Sequence, residues 1–474
     1  MYRKKLAATA LIISLLGSNT MPMTAMAQTE KKSMKFFLLK TRQEKQSQNK
    51  LIKSQVTEYK FDYVNMDWWK KFNDDYLDEY ISKAIENNLD LKIATLKVEE
   101  YNQLVKVQFA NELPSGTVGF MPNIAKMPDS TSSSGLFAFP LLVNYEADIF
   151  LKNHDKTKSA KKNYESSLLD EKAAYISIVS AVGSTYFNIV KLDKLVDVQR
   201  EIVSSRKEIY SLMKKRNEQG ITSTADLLKA DKSFVSAKND LIELQKTRTI
   251  LLNQLSVLIG DSPANTQELK RISYKEVEYK LQIPDEINSE IITQRPDYMR
   301  AEKQVEKAGL DVKIAKKEFL PNFSIMGLLF FNANNFGKSF NWSNALAAFG
   351  GSALFPFFSG GAKVANLKLK KNAYEQILQN YFKTNLVAIQ EVNDALSTLK
   401  LDNEKYINNV AQREMENKDY KYNVSKFEQG IISKLDLIQR KENLLVMDKL
   451  VATSKMDCAV DYIGLYKAVG NKLN

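Results

Sequence analysis

The sequence predicts a mostly α-helical chain with a small β part. One plan is carried out twice: long antiparallel helical hairpins joined to four short strands of membrane-crossing length. Three observations lead there. A ten-residue stretch recurs, since EQGITSTADL at 218–227 and EQGIISKLDL at 428–437 agree at seven positions, 210 residues apart. Apolar residues keep helical spacing for about sixty residues at a time. Four apolar runs of about ten residues are bounded by polar turns.

Each copy of the repeated stretch is a helix stop followed at once by a helix start. Gly220 and Gly430 suit the left-handed residue that ends a helix, because they carry no Cβ. Ser223 and Ser433 cap the next helix, and Asp226 and Asp436, three residues on, complete a capping-box-like pair. Both copies are therefore tight turns at the far tips of helical hairpins.

The first 27 residues read as a signal peptide: Arg3, Lys4 and Lys5, an apolar core from Leu6 to Leu16, and Ala25-Met26-Ala27 before the cut. The core is short for a membrane span, and an N-terminal anchor is the alternative. The mature chain is thus exported. Residues 28–75 form an extended leader, with nine basic and two acidic residues between 31 and 60.

A first repeat follows over 76–285. Its opening helix runs from Tyr76 to Leu113-Pro114. Strands at about 115–121 and 136–145 flank a Ser-rich loop. A long helix then runs from near Lys156 to Gln219, spanning roughly 90–100 Å, and a return helix from Ser223 to Ile259 ends at Gly260. The connector after Asp261-Ser262-Pro263 holds one strand-like run, Ile272 to Tyr279. A helix that long has no single globular core and needs long neighbours. The second repeat, 286–474, has the same order. A helix spans Glu286 to Phe319, strands lie at about 322–331 and 342–355, a long helix reaches the tip near 430, and a last helix ends at Val469-Gly470.

Strands of this length cross a bilayer when tilted, but four cannot close a barrel, and every edge group in lipid must be paired. The chain must pool its strands with other copies; three copies would give twelve. Phe120, Phe137, Phe139, Tyr145, Phe330, Phe331, Trp342, Phe355, Phe357 and Phe358 suit an interfacial girdle. The alternative is a soluble sandwich core.

Composition excludes several function classes. The net charge of +12 comes from scattered Lys with no recognition module, so nucleic acid is not a partner. One Cys (Cys458) and one His (His154) leave no disulfide, no metal-ligand cluster and no Cys–His pair. Cys458 reads as a core residue and His154 as a surface loop residue. The expectation is a non-enzyme with no catalytic, metal or cofactor site.

Several stretches carry a family resemblance: Trp68-Trp69-Lys70-Lys71-Phe72, Asn88-Leu89-Asp90-Leu91, Tyr145 through Phe150, Arg295-Pro296-Asp297, Phe319-Leu320-Pro321, Phe355 through Gly361, Gln390-Glu391-Val392, and Leu465 through Gly470. In order and spacing, over some 400 residues, the mature chain resembles the outer-membrane efflux proteins. These are the TolC-like exit ducts, and the likeness is strongest to the branch paired with resistance-nodulation-division pumps. The resemblance implies a homotrimer in the outer membrane lipid, with a twelve-stranded β-barrel joined to a helical tunnel in the periplasm. It implies partners too: a periplasmic adaptor (membrane fusion) protein and an inner-membrane pump. The expected function is the exit duct of a tripartite efflux system for drugs or other small molecules. The alternatives are the duct of a type I protein secretion system and, in another class, an exported coiled-coil structural protein.

The resemblance also assigns the tips. Gly220, Ile221, Ser223, Gly430, Ile431 and Ser433 would dock the adaptor, and Asp226 and Asp436 would face the periplasmic aperture. Capping alone is the competing role for both aspartates. Glu391 reads either as a tunnel-wall acid or as a solvated helix flank. The chain departs from the branch in three respects. It has no N-terminal Cys to carry a lipid, so it is expected not to be lipidated. It stops four residues after Gly470. Ile432 stands where some members hold an Arg that latches the closed gate, so the latch must differ.

Overall fold

The computed structural model describes residues 68–125, 134–264, 269–277, 283–284, 287, 289–333 and 340–470. The signal peptide and most of the leader lie outside these residues. The helices are α1 (Asp75–Asn87), α2 (Leu89–Ala110), α3 (Lys152–Glu218), α4 (Thr224–Leu258), α5 (Pro296–Lys317), α6 (Ala362–Glu428) and α7 (Lys434–Val469). The strands are β1 (Ser115–Val118), β2 (Met121–Ala125), β3 (Ser134–Ala147), β4 (Asn322–Ala333) and β5 (Ala345–Leu354).

Several boundaries differ from those read off the sequence. The opening helix breaks at Asn88, whose side chain leaves the helical ladder to accept the N–H groups of Asp90 and Leu91 at 2.9 and 3.1 Å. Trp68–Phe72 is not extended leader but a buried 3-10 turn. Ser289–Gln294 is likewise a 3-10 turn ahead of α5. Within the strand-like run from Ile272, the described part to Val277 is turn and coil. The last strand begins at Ala345, after a 3-10 turn over Trp342–Asn344.

α3 and α6 have 67 residues each, about 100 Å of helix. α3 packs on α2 and α4 along one side and on α5 and α7 along the other, while α6 packs on α5 and α7. The helices therefore form one layer in the order α2/α4, α3, α5/α7, α6. The sheet has the matching order, β1 and β2, then β3, β4 and β5, all antiparallel. Each strand continues the helix beside it in the chain, so sheet and helices make one continuous wall.

The stacked joints explain the duplicated glycines. Gly260 has φ +76°, and a Cβ there would lie 2.6 Å from the carbonyl oxygen of Asn87. Gly470 has φ +67°, with Arg295 Cγ 3.1 Å from where its Cβ would be. Both positions combine a left-handed backbone with a close approach, which only glycine tolerates without strain. The core sits beside these joints. Trp68, Phe72, Tyr186, Phe187 and Tyr462 are buried, and Lys71 donates to the hydroxyls of Tyr462 (3.0 Å) and Tyr466 (2.9 Å). Part of α3 has the length and apolar composition of a membrane span, but more than half of it is buried against the rest of the chain. Cys458 is buried in α7. His154 lies in the first turn of α3, 3.5 Å from Glu112.

Candidate functional site

At the first tip, the N–H of Ile221 donates to Arg216 O (2.8 Å) and that of Gly220 to Asn217 O (2.9 Å). At the second, Ile431 donates to Lys426 O and Gly430 to Phe427 O, both at 2.9 Å. Paired bonds of this kind, with glycine at φ +70° and +74°, are Schellman stops. Beyond the adjoining residues, no atom lies within 4 Å of a Cβ built on either glycine, so φ rather than crowding selects them. Ser223 Oγ accepts the Asp226 N–H at 3.1 Å, and Ser433 Oγ accepts that of Asp436 at 3.2 Å. Only at the second tip does the carboxylate also accept the serine N–H, at 3.2 Å, closing a full capping box. The Ser433 hydroxyl, which donates to the carboxylate at 2.7 Å, and then the Ser433 N–H hold the Asp436 carboxyl below its usual pKa. Ile221 and Ile431 stand exposed at the two apices.

The two tips are tied by a ladder the sequence reading missed. Lys434 pairs with Glu208, Lys441 with Glu201 at 3.7 Å, and Arg206 with the buried Glu442 at 3.4 Å. Two lysines and two glutamates, each seven residues apart, face each other across antiparallel helices. That heptad spacing was the available signal. Burial pushes the Glu442 carboxyl up, and Arg206 offsets this only in part.

Glu391 is half exposed, but it is neither a free flank nor an unpartnered wall acid. It accepts from Arg295 at 2.6 Å. Arg295 also donates to Asp297 (2.7 Å) and to the Ala468 carbonyl, tying the start of α5 to the end of α7. Burial raises the Asp297 pKa, but Arg295 outweighs it and holds the group below the carboxylate range.

The sheet sorts its side chains by register. Directly opposed residues share a face. One face carries Phe120, Phe139, Leu141, Val143, Tyr145, Ile325, Leu329, Phe331 and Phe349, with no charged group among its described side chains. The other collects the polar residues: Ser115, Thr117, Asn144, Glu146, Asn322, Ser324, Asn332 and Ser352. On the apolar face, Phe120 stacks on Phe139 at 5.0 Å, and Phe331 meets Trp342 at 5.4 Å. At the helix end, Phe150 lies 6.2 Å from Phe323. Eight residues separate Phe331 from Phe323, about 27 Å of strand, against an apolar band of about 25 Å in outer-membrane barrels. Phe330, expected in the girdle, lies on the opposite face. β1 and β2 share one register against β3 and part at Gly119, which donates to Pro140 O at 2.8 Å but faces a residue with no N–H to return.

The comparisons with known proteins agree with this architecture. The family model described as outer membrane efflux protein matches residues 80–261 and 287–471. The chain is 25% identical over 415 residues to the probable efflux pump outer membrane protein TtgC of Pseudomonas putida, covering 85% of this chain and 84% of that one. It is 24% identical over 427 residues to the probable outer membrane lipoprotein SilC of Salmonella typhimurium, covering 89% and 91%. The crystal structure of the Campylobacter jejuni CmeC outer membrane channel superposes with a TM-score of 0.78 at 25% identity, over 85% of this chain and 88% of that one. The fold is that of an outer-membrane channel chain, mostly helical with a small share of a β-barrel. The protein is an outer-membrane efflux channel, and the chain belongs to the outer membrane efflux protein family.

Proposed function

We infer that three copies close into one exit duct, that the helical tips dock a periplasmic adaptor, and that the pump behind it is of the resistance-nodulation-division type. One observation carries the trimer: the free edges of the sheet (β1/β2 and β5) and of the helical layer (α2/α4 and α6) lie on the same two sides. The strands alternate in direction and make an even number of barrel positions, so β5 of one copy meets β1 of the next antiparallel. α6 exposes Phe382, Leu386 and Ile407, and α4 exposes Ile242, Ile250 and Val257, apolar flanks that a neighbour would cover.

In this reading Gly220, Ile221, Ser223, Gly430, Ile431 and Ser433 form the docking tips. Asp226 and Asp436 serve as caps and rim the aperture. The Lys434–Glu208 and Lys441–Glu201 pairs replace the family latch. Exposed pairs of this kind are worth roughly 0.2–1 kcal/mol each, weak enough for adaptor docking to break.

The test is chemical cross-linking of the detergent-extracted protein together with planar-bilayer conductance. Trimers that form channels support the duct. A monomer without conductance would defeat it. Affinity capture of the cross-linked envelope complex then identifies the pump class, and a protein-exporting transporter in place of a resistance-nodulation-division pump would refute that part.

A further inference from the structure

The polar face of the sheet is not polar along its whole height. Near the helices it presents Glu146, Asn144, Ser324 and Ser352. Farther from them, and short of the row where Ala138 opposes Asn332, it turns apolar. Pro140 opposes Phe330, which opposes Leu346; one row nearer the helices, Leu142 opposes Leu328, which opposes Ala348. Pro140 is buried on this face. The other face is wholly apolar and takes the lipid, so this one lines the bore. Barrel interiors in outer-membrane channels are ordinarily polar, and two successive rows that are apolar across β3, β4 and β5, with Thr117 and Gly119 beside them at the fourth strand position, depart from that rule.

We propose that the middle of the bore is an apolar sleeve, built from Phe330, Leu328, Leu346, Leu142 and Pro140, that binds the hydrocarbon part of a solute in transit. The duct then favours amphiphilic and apolar organic solutes over hydrated ions. The proposal rests on the exit-duct reading above, because only a closed trimer turns these rows into a ring. Three copies bring three Phe330 rings to one level. A hydrocarbon chain passing that level leaves water without giving up a hydrogen bond, and each methylene fully transferred is worth about fourfold in affinity. The polar rows on the helix side keep the entrance wet, so the sleeve acts after the solute has entered the barrel.

The experiment uses the full-length trimer in planar bilayers of phosphatidylcholine and measures block of the potassium current by tetraalkylammonium ions, from tetramethyl to tetrapentyl. The half-blocking concentration is expected to fall at least about tenfold between tetramethyl and tetrabutyl. Phe330→Ser and, separately, Leu346→Ser should flatten that dependence by about threefold or more, while the potassium conductance keeps its order of magnitude. A wild-type block independent of alkyl length overturns the sleeve while leaving the duct standing. A dependence retained in both serine variants also overturns it, because the alkyl groups then bind elsewhere. Cross-linked trimers that form no channel overturn the duct and the sleeve together.

Discussion

Trp68 rests on Gly183: a Cβ at Gly183 would lie 2.3 Å from the Trp68 ring and 3.0 Å from Ile463. The missing side chain is the socket that lets the N-terminal turn clamp α3 against α7, and Phe72 extends the clamp onto Phe187 at 4.5 Å. Neither atom can retreat freely, because Trp68 and Ile463 are both fully buried. Gly183→Ala is therefore expected to cost about 1–3 kcal/mol through overpacking. Gly183→Leu should expel the turn. Thermal unfolding of the purified trimer, with tryptophan emission as the reporter of Trp68 burial, checks both.

Replacing Gly220 or Gly430 by Val strains only the backbone, because beyond the adjoining residues no atom stands within 4 Å of either Cβ position. The local cost is on the order of 1–2 kcal/mol. Trimers should form at wild-type yield, and adaptor binding should fall. Loss of the trimer in cross-linking would mean that these glycines serve folding rather than docking.

The ladder between the tips predicts a charge-swap result. Lys434→Glu sets a carboxylate against Glu208, and Lys441→Glu sets one against Glu201. The double variant should open the closed tips and raise mean single-channel conductance. Adding Glu208→Lys and Glu201→Lys should bring it back down. No rescue by the swap would remove these pairs from the latch.

Asp461 on α7 supplies a pH test. Burial, and then the neighbouring Asp402 carboxyl, push its pKa up to about 7, well above the usual aspartate range. The folded protein thus holds a proton that the unfolded chain releases. The stability this group contributes is present below pH 4 and is lost as pH rises toward 7. The charges nearby are Asp457 and Lys191, paired at 2.9 Å, and Lys405, 3.6 Å from Asp402. Asp461→Asn should raise the unfolding temperature at pH 7.5 and flatten its slope between pH 4 and 7. An unchanged slope would place the titration elsewhere.

Asp155 behaves in the opposite sense. Burial raises its pKa, but Lys317 and Lys313 outweigh that and hold it below the carboxylate range. Its contribution is present above the ordinary aspartate pKa and is lost as pH falls through the lowered value. Asp155→Asn should leave Lys317 and Lys313 without their shared partner and loosen the α3–α5 contact below the sheet. Faster amide exchange confined to the first turns of α3 and the last turns of α5 is the expected readout.

Much of this molecule is written locally. The two tips were legible because a glycine stop and a serine cap act within six residues. The long helices were legible because one periodicity persists through each of them. Strand lengths and the total of four barrel positions per chain follow from apolar runs and polar turns. Those features depend on neighbours in sequence, so sequence by itself determined them, and with them the need for partner copies.

Tertiary structure decided what depends on rotation and register between distant segments. Phe330 and Phe331 are adjacent and chemically identical, yet they lie on opposite faces of the sheet, because strand pairing with β3 sets the face of each. Glu391 finds Arg295 across 96 residues, and Lys434 of one helical hairpin finds Glu208 of the other. No local pattern carries such pairings, since they exist only once the helices have packed at a particular rotation.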